Sequence, residues 1–342
     1  MSLASDLTID ASKFDPHSVS PDTVKLNEVI QAKSEAAPAW YEVPSSTPLL
    51  EALQIGAARY REMRWNGEGT LPKVNVLESG VNFKIPSRET GRDIPCRFFK
   101  PENGQVNSVM MHVHGGGWVL QGECWNDWLL KWMADNCGLA VVSVGYRLAP
   151  EHVYPAAYED CFDAAEWLVR KAKPNYGAEL KFIGGESAGA HLSVVTALHL
   201  HQTQPSFALR GLVLHYGIYE LSNWLPAVHH CDKNLVSDRA QVEHCIKAFL
   251  PNHTVEQRRD PWISPFYARL SRGSLPAALF TCGTEDLLVD DSVMMAVKWQ
   301  MSGNEGVLKI YPGAPHGFTF FPYADAATSL EDTKKFVLSK LE

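Results

Sequence analysis

Short apolar runs of strand length alternate with helix-like stretches along this sequence from about residue 80 to its end. The predicted strands cover residues 81–85, 94–99, 108–113, 139–144, 180–184, 211–214, 277–281 and 307–311. The predicted helices cover residues 126–136, 156–172, 188–201, 238–249, 291–302 and 324–341. Because strand alternates with helix, we predict an α/β fold with a mostly parallel eight-stranded sheet and helices on both faces.

The first 75 residues differ from this pattern. Residues 21–36 and 48–65 show helical periodicity, and a proline-rich break separates them. Residues 219–262 interrupt the later alternation, at the sheet edge where ligands bind in open α/β folds. We therefore predict an N-terminal helical cap segment over residues 1–75. The main domain then covers residues 76–342, with an insertion at 219–262.

Composition narrows the class of protein. The chain has 342 residues, 45% hydrophobic and 20% charged, which is ordinary for a globular protein and excludes wholesale disorder, collagen and coiled coil. The net charge is −8, from 31 Lys and Arg against 39 Asp and Glu, and no basic run stands out. Nucleic acid and anionic membranes are therefore not expected as partners.

The termini and the cysteines suggest a location. The N-terminus lacks a basic start and an apolar core, so no signal peptide is expected. Residues 187–209 carry no Asp, Glu, Lys or Arg, but histidine and glutamine interrupt their apolar character, which predicts a buried helix rather than a membrane span. The seven cysteines are scattered and never form a C-x-x-C pair. We expect a cytoplasmic protein with reduced thiols, and no metal site.

A candidate nucleophile lies in the sequence Gly-Glu-Ser-Ala-Gly at residues 185–189. This G-x-S-x-G pattern follows a predicted strand and precedes a predicted helix, the context of a nucleophile elbow. The glycines are needed because the turn is too tight for side chains. The turn exposes the Ser187 hydroxyl near the positive end of the helix dipole, which favours negative charge there.

Three consecutive glycines follow the strand at residues 108–113, in the sequence His-Gly-Gly-Gly-Trp at 114–118. Attack on an ester places negative charge on the carbonyl oxygen, and backbone N–H groups aimed at that oxygen stabilise it. Glycines leave these groups unobstructed. We predict that the N–H groups of Gly116, Gly117 and Ala188 form an oxyanion hole.

A serine nucleophile needs a base, and the base needs an orienting carboxylate. In this chain order the acid follows a late strand and the base follows the last strand. The strand at 277–281 leads to Glu285 and Asp286, either of which could be the acid. The strand at 307–311 leads to His316, the predicted base.

Five motifs in order resemble the hormone-sensitive-lipase-like esterases, a branch of the α/β-hydrolase fold. They are His114-Gly-Gly-Gly-Trp118, Tyr146-Arg-Leu-Ala-Pro-Glu151 with Tyr154-Pro-Ala-Ala157, Gly185-Glu-Ser-Ala-Gly189, Asp286-Leu-Leu288 and His316-Gly-Phe318. The resemblance covers residues 80–342. It favours Asp286 over Glu285 and implies a Ser187–His316–Asp286 triad, a carboxylic-ester hydrolase without metal or cofactor, and a cap built from the N-terminal helices and the insertion.

This sequence departs from the family pattern at three positions. Glu186 stands where Asp is commoner, Ala190 where a further Gly is usual, and Leu287 where Pro is common. None of these removes a catalytic group. Family members are often dimers, which makes a homodimer one option.

Aromatic side chains near the strand ends and in the insertion are candidates for the substrate pocket. We assign this role to Trp118, Tyr219, Trp224 and Phe318. Tyr146, Arg147 and Glu151 are expected to make buried structural contacts.

The expected function is hydrolysis of a small-molecule ester through an acyl-enzyme. The apolar insertion favours short to medium acyl esters or a small acetylated metabolite. The same site could serve an acyltransferase, a cyclase or a lyase, because the pocket decides the second nucleophile. A non-catalytic binding module is the remaining alternative, although all three triad residues are present.

Overall fold

The computed structural model describes residues 8–37, 47, 49–222, 225–230 and 233–342. Its strands are β1 (Val81–Pro86), β2 (Asp93–Phe99), β3 (Ser108–Val113), β4 (Leu139–Val144), β5 (Leu180–Glu186), β6 (Gly211–His215), β7 (Ala277–Glu285) and β8 (Gly306–Pro315). Its α-helices are α1 (Pro21–Ala36), α2 (Leu49–Asn66), α3 (Asp127–Cys137), α4 (Ala156–Tyr176), α5 (Ala188–Thr203), α6 (Ala227–His230), α7 (Arg239–Phe249), α8 (Val289–Met301) and α9 (Ala324–Ser339).

The eight strands form one sheet in the order β1-β2-β4-β3-β5-β6-β7-β8. Strand β2 pairs antiparallel with β1 and β4, and every other neighbouring pair is parallel. Every residue of β3 and β4 is buried, as expected for strands covered by helices on both faces. The predicted α/β fold with eight strands is confirmed.

Strands β7 and β8 extend four residues beyond their predicted ends at 281 and 311. Their pairing continues past an irregularity between Gly283 and Glu285, and it ends with Glu285 opposite Pro315. The glycines and prolines in these segments do not follow the hydrophobic alternation of a strand, which is why the sequence predicted earlier ends. The extension places the two residues that follow, Asp286 and His316, next to each other.

Helix α2 of the N-terminal segment is bound to loops of the later part of the chain by hydrogen bonds and an ion pair of Arg61. Arg61 Nε donates to the Val119 carbonyl at 2.8 Å and Nη2 donates to the Ala149 carbonyl at 2.9 Å. Arg61 Nη1 also pairs with the Glu151 carboxylate at 2.8 Å. Helix α2 also contacts α7 of the insertion. The sequence missed α6 in the same insertion because four residues are too few to show a period.

A buried ion pair joins β2 to the first turn of α3. Arg97 Nε donates to Asp127 Oδ1 at 2.7 Å, and both side chains are almost fully excluded from solvent. Asp127 Oδ2 also accepts the amide of Leu77 at 2.8 Å. Removing one member of a buried pair leaves an unpaired charge in a medium of low polarity, which costs about 3–5 kcal/mol.

We therefore expect Asp127→Ala to lower the free energy of unfolding by about 3–5 kcal/mol in urea titrations. Asp135→Ala, on the same helix, breaks the more exposed pair with Lys131 and is the matched control, with an expected loss of about 0–1 kcal/mol. Equal losses for the two variants would show that burial of the Arg97–Asp127 pair does not increase its contribution to the free energy of unfolding.

Candidate active site

Ser187 lies at the turn between β5 and α5, in a strained conformation. Its φ is +54° and its ψ is −119°, a region that residues with a side chain rarely adopt. A Cβ atom on Gly185 or on Gly189 would lie 2.0 or 1.9 Å from the Val113 carbonyl oxygen. Only glycine therefore fits at both positions, and this contact with β3 explains the G-x-S-x-G pattern.

His316 lies between Ser187 and Asp286. Its Nε2 is 3.0 Å from Ser187 Oγ, and its Nδ1 is 3.0 and 3.1 Å from the two carboxylate oxygens of Asp286. The Asp286 side chain is fully buried and also accepts the Leu288 amide at 2.8 Å. The structure thus brings together the three residues that the sequence nominated, although 129 positions separate the serine from the histidine.

Glu285, the alternative acid, does not contact His316. Its carboxylate pairs with Lys233 Nζ at 3.0 Å and is about one-third exposed. Asp286 follows Glu285 after the last paired position of β7, so only Asp286 reaches the imidazole.

The glycine loop after β3 borders the same cavity as Ser187 and His316. Gly116 and Gly117 have φ values of +98° and +60°. In the described part of the chain, no group accepts a hydrogen bond from either amide. A Cβ on Gly116 would lie 2.5 Å from the Leu120 carbonyl oxygen, so the loop has no room for a side chain there. Ala188 is the first residue of α5 and is fully buried.

Tyr146 fixes this loop from behind. Its hydroxyl donates to the carbonyls of His114 and Gly115, at 2.9 and 3.2 Å, and its ring stacks on the His114 imidazole with centroids 4.1 Å apart. These contacts fix the backbone that directly precedes Gly116 and Gly117. Tyr146 therefore makes the buried structural contact that the sequence predicted.

Ser187 opens into a cavity of about 90 Å³. It is lined by Tyr60, Leu71, Gly115, Gly116, Gly117, Trp118, Leu120, Gln121, Glu186, Ser187, Tyr216, Ile218, Val236, Ser237, Gln241, Val242, Cys245, Leu288, His316, Gly317 and Phe320. Most of these side chains are apolar or uncharged, and the cavity is small beside the ~300–1,000 Å³ of pockets for drug-sized ligands.

The four aromatics predicted for the pocket lie in different places. Trp118 lines the cavity and stacks on Phe249 with centroids 4.8 Å apart. Tyr219 and Phe318 do not line the cavity, and both pack in the core instead. Tyr219 packs edge-on against the ring of a core phenylalanine, and Phe318 packs behind the ring of Tyr216. Trp224 lies outside the described residues.

Other lining residues come from the N-terminal segment and the insertion and were missed. Tyr60 on α2 and Cys245 on α7 reach the cavity, and a Cβ on Gly117 would lie 2.6 Å from Cys245 Sγ. Periodicity predicted both helices. It could not show which of their residues face Ser187, because that depends on how the helices pack on the sheet.

A buried polar network, which the sequence analysis did not predict, lies beside Ser187. The Glu186 carboxylate is 3.1 Å from His112 Nε2 and accepts Asn126 Nδ2 at 2.9 Å, and His112 Nδ1 is 2.9 Å from Ser143 Oγ. Burial acts to raise the pKa of Glu186, but the imidazoles of His112, His215 and His114 outweigh it and hold that pKa below its ordinary value. The residue before Ser187 is thus a buried carboxylate that several hydrogen bonds hold in place.

Three buried histidines carry no charge at neutral pH. Burial lowers the pKa values of His114, His191 and His215 to about 4, against an ordinary value of 6.5. His191 Nδ1 accepts Trp118 Nε1 at 3.3 Å, and His191 Nε2 is 2.8 Å from the Ile263 carbonyl oxygen. His191 therefore supports the wall of the cavity.

Within the described ranges, no group of three or more His, Cys, Asp or Glu side chains could hold a metal ion. No helix in that part of the chain has the length and apolar character needed to cross a membrane.

Known proteins resemble this chain in sequence and in structure. A family profile described as alpha/beta hydrolase fold matches residues 110–320. An ethyl acetate hydrolase of Pseudomonas putida is 28% identical over 79% of this chain and 84% of its own. An esterase of Acinetobacter venetianus is 30% identical over 68% and 76%. The solved structure of a hyperthermophilic esterase from Pyrobaculum calidifontis covers 94% of this chain and 98% of its own, with 26% identity and a TM-score of 0.74.

The family profile matches more than half of this chain, and the chain therefore belongs to the α/β-hydrolase family. Within that family it is a carboxylesterase-type hydrolase. The resemblance to α/β-hydrolase esterases stated from the sequence motifs is confirmed.

The buried histidines predict how stability depends on pH. In the unfolded chain an imidazole titrates near 6.5, whereas His114, His191 and His215 in the fold titrate near 4. Between these values the unfolded state binds protons that the folded state does not. The free energy of unfolding is therefore fully developed above pH 6.5 and falls as the pH drops towards 4, by up to about 1.4 kcal/mol per pH unit for each imidazole.

Urea titrations of His215→Gln at several pH values between 7 and 4.5 should show a shallower slope than the wild type. His152→Gln, at an exposed position, is the matched control and should keep the wild-type slope. Identical slopes for the wild type and His215→Gln would contradict the assignment of a buried neutral imidazole.

Proposed function

We propose that Ser187 is the nucleophile, His316 the general base and Asp286 the orienting carboxylate of an ester hydrolase. The observation that carries this proposal is the position of one imidazole, 3.0 Å from the Ser187 hydroxyl on one side and 3.0 Å from the Asp286 carboxylate on the other. A hydroxyl becomes a useful nucleophile only when a base receives its proton. The Asp286 bond to Nδ1 leaves Nε2 free to act as that base.

In the first half-reaction, His316 Nε2 takes the proton of Ser187 as Oγ attacks the ester carbonyl carbon. The carbonyl π electrons move to the oxygen, which becomes an oxyanion. The amides of Gly116, Gly117 and Ala188 donate to that oxyanion, and losing one such donor costs on the order of 10²–10³ in rate. The C–O bond to the alcohol then breaks, and His316 returns its proton to the leaving oxygen.

In the second half-reaction, water replaces the alcohol. His316 takes a proton from the water, whose oxygen attacks the acyl carbon and forms a second oxyanion in the same hole. Collapse of this intermediate breaks the bond to Ser187 Oγ, which regains its proton from His316. The products are one carboxylic acid and one alcohol, and the enzyme returns to its starting state.

The preferred acyl group is short. The cavity beside Ser187 has a volume of about 90 Å³, which accommodates a small acyl chain more easily than a fatty one. The similarity to an ethyl acetate hydrolase supports acetyl and other short acyl esters. Helices α2 and α7 act as the cap of this site, because Tyr60 and Val242 lie on them and line the cavity.

Ser187→Ala removes the attacking oxygen, and we expect it to lower kcat for p-nitrophenyl acetate by on the order of 10⁴–10⁶. His316→Ala should cause a similar loss, and the double variant should lose little more, since the two residues act as a unit. His152→Gln is the control for substitution of an exposed histidine and should retain wild-type activity. A Ser187→Ala enzyme with near-normal turnover would refute the assignment.

A series of p-nitrophenyl esters tests the size of the acyl site. We expect kcat/KM to be highest for the acetate-to-butyrate range and to fall steeply for long chains, because these exceed the cavity. Highest kcat/KM on palmitate would contradict the short-acyl proposal and leave the triad assignment intact.

A further inference from the structure

A second recess shares the lining residue Phe320 with the catalytic cavity. We call it the anion groove, and it has a volume of about 310 Å³. Its lining residues are Arg64, Pro72, Lys73, Val74, Asn75, Trp125, Trp128, Thr319, Phe320 and Phe321. Two are cations, four are aromatic and none is acidic. In a chain of net charge −8, such a lining is unusual.

Arg64 is a buried cation with no counterion among the described residues. The residue is 3% exposed, and no acidic side chain in that part of the chain lies within ion-pair distance of it. Its Nη1 donates to the carbonyls of Leu71 and Pro72, whereas its Nε has no hydrogen-bond partner in this part of the chain. The Trp125 ring, 5.5 Å away, adds a cation–π contact. Burial lowers the pKa of Arg64, which reflects the cost of an uncompensated charge.

Buried charges without an opposite charge are rare in proteins because desolvation costs several kcal/mol per ion. A guanidinium presents several donors in a plane and matches a carboxylate or phosphate with two parallel hydrogen bonds. Lys73, exposed on the rim of the same groove, adds a second positive charge that pairs with no acidic group in the described chain. Both features favour an anion as occupant.

The aromatic residues of the groove indicate what kind of group the anion is attached to. Trp125 and Trp128 are half-buried, and the Trp128 ring lies edge-on to Phe320 with centroids 6.3 Å apart. Half-exposed rings in a recess offer faces and edges to a flat apolar group. A benzene or naphthalene ring carrying a carboxylate would satisfy both the rings and Arg64.

The anion groove borders the catalytic cavity directly. Phe320 lines both recesses. Tyr60 lines the catalytic cavity and lies one helical turn before Arg64 on the same face of α2. Leu71, whose carbonyl accepts a hydrogen bond from Arg64, lines the catalytic cavity as well. These shared residues place the two recesses side by side.

We propose that the anion groove binds the remote end of the substrate, so that the preferred substrates are esters of short acyl groups whose alcohol part carries an aromatic ring with a carboxylate. The carboxylate pairs with Arg64 and Lys73, and the ring lies against Trp125 and Trp128. This assignment of substrate class rests on the proposed hydrolase function, whereas binding of the aromatic anion does not.

Binding is tested first, with the Ser187→Ala protein and two probes of equal shape, 2-naphthoate and 2-naphthamide. Isothermal titration calorimetry should give a Kd at least about tenfold lower for the carboxylate, because only the carboxylate carries a negative charge that pairs with Arg64. The difference should shrink as sodium chloride is raised, since Lys73 is exposed. Equal affinities for the two probes at low salt would overturn the proposal.

Variants locate the binding site. Arg64→Gln and Lys73→Met should each reduce the preference for naphthoate over naphthamide, Arg64→Gln more strongly. Arg59→Met, an exposed cation on the same helix and outside the groove, is the matched control and should keep the wild-type preference. If Arg64→Gln fails to fold, Lys73→Met still tests the groove, because replacing an exposed side chain should leave the fold intact. An unchanged preference in Lys73→Met would then count against the groove.

Turnover tests the link to the reaction. The substrates are acetate esters of 4-(hydroxyalkyl)benzoates with one to three methylenes, each compared with its benzamide. In the wild type, the ratio of kcat/KM for acid over amide should exceed about ten for at least one length, and it should fall in Arg64→Gln. Because it is taken within one protein, this ratio is insensitive to partial unfolding.

The two proposals fail in different ways. Normal ester turnover by Ser187→Ala refutes the hydrolase mechanism and leaves the naphthoate comparison standing. A ratio near one for all three lengths, with Ser187→Ala inactive, refutes the substrate class and leaves the mechanism standing.

Discussion

The pairing of β7 with β8 is the constraint on which the site depends. The two strands stay in register up to the pair of Glu285 and Pro315, and the chain then leaves the sheet on both strands at the same level. Asp286 and His316 are the next residues, so their separation is set by the spacing of neighbouring strands, about 4.8 Å, rather than by flexible loops. A register shift of one residue would turn one of the two side chains away from the other.

Ser187, the third residue of the candidate triad, is brought next to His316 by a different close contact. Gly185 and Gly189 allow the elbow to press against the Val113 carbonyl at the end of β3, where no Cβ could fit. That contact fixes the turn in which Ser187 holds its unusual backbone conformation. The glycine loop leaves β3 at the same point, so the candidate oxyanion donors and the hydroxyl share one anchor. The geometry of the reaction centre therefore depends on sheet pairing and backbone contact, with few side chains involved.

The contrast between sheet pairing and side-chain packing explains how much of the structure the sequence could predict. Strands β3 and β4 were predicted at their observed ends because a strand buried on both faces is a continuous apolar run. The order of Ser187, Asp286 and His316 was expected from the chain order of nucleophile, acid and base in this architecture, and the family resemblance favoured Asp286 over Glu285. Tyr219 was misplaced because an aromatic near a strand end can face either the cavity or the core.

What the sequence could not supply depends on packing between distant segments. Tyr60 faces Ser187 only because α2 packs beside α7, and no local pattern specifies that contact. The partners of Glu186 come from β3 and from the residue before α3, 74 and 60 positions away. A buried charge can be recognised as paired or unpaired only when all of its spatial neighbours are known.

That criterion separates Arg64 from three other buried groups of the described chain, Arg97, Asp286 and Glu186. Arg97 faces Asp127, Asp286 faces His316, and the carboxylate of Glu186 meets an imidazole and an amide. In each case the cost of removing the ion from water is offset within the protein, and the group fixes structure. Among the described residues, the Arg64 guanidinium donates to carbonyl oxygens, lies over a tryptophan ring and pairs with no carboxylate. Its desolvation is offset less than theirs, and an anion arriving in the groove would recover the difference as binding free energy. A fold that retains such a residue beside its reaction centre gains discrimination between charged and neutral substrates, since a neutral one leaves the buried guanidinium uncompensated.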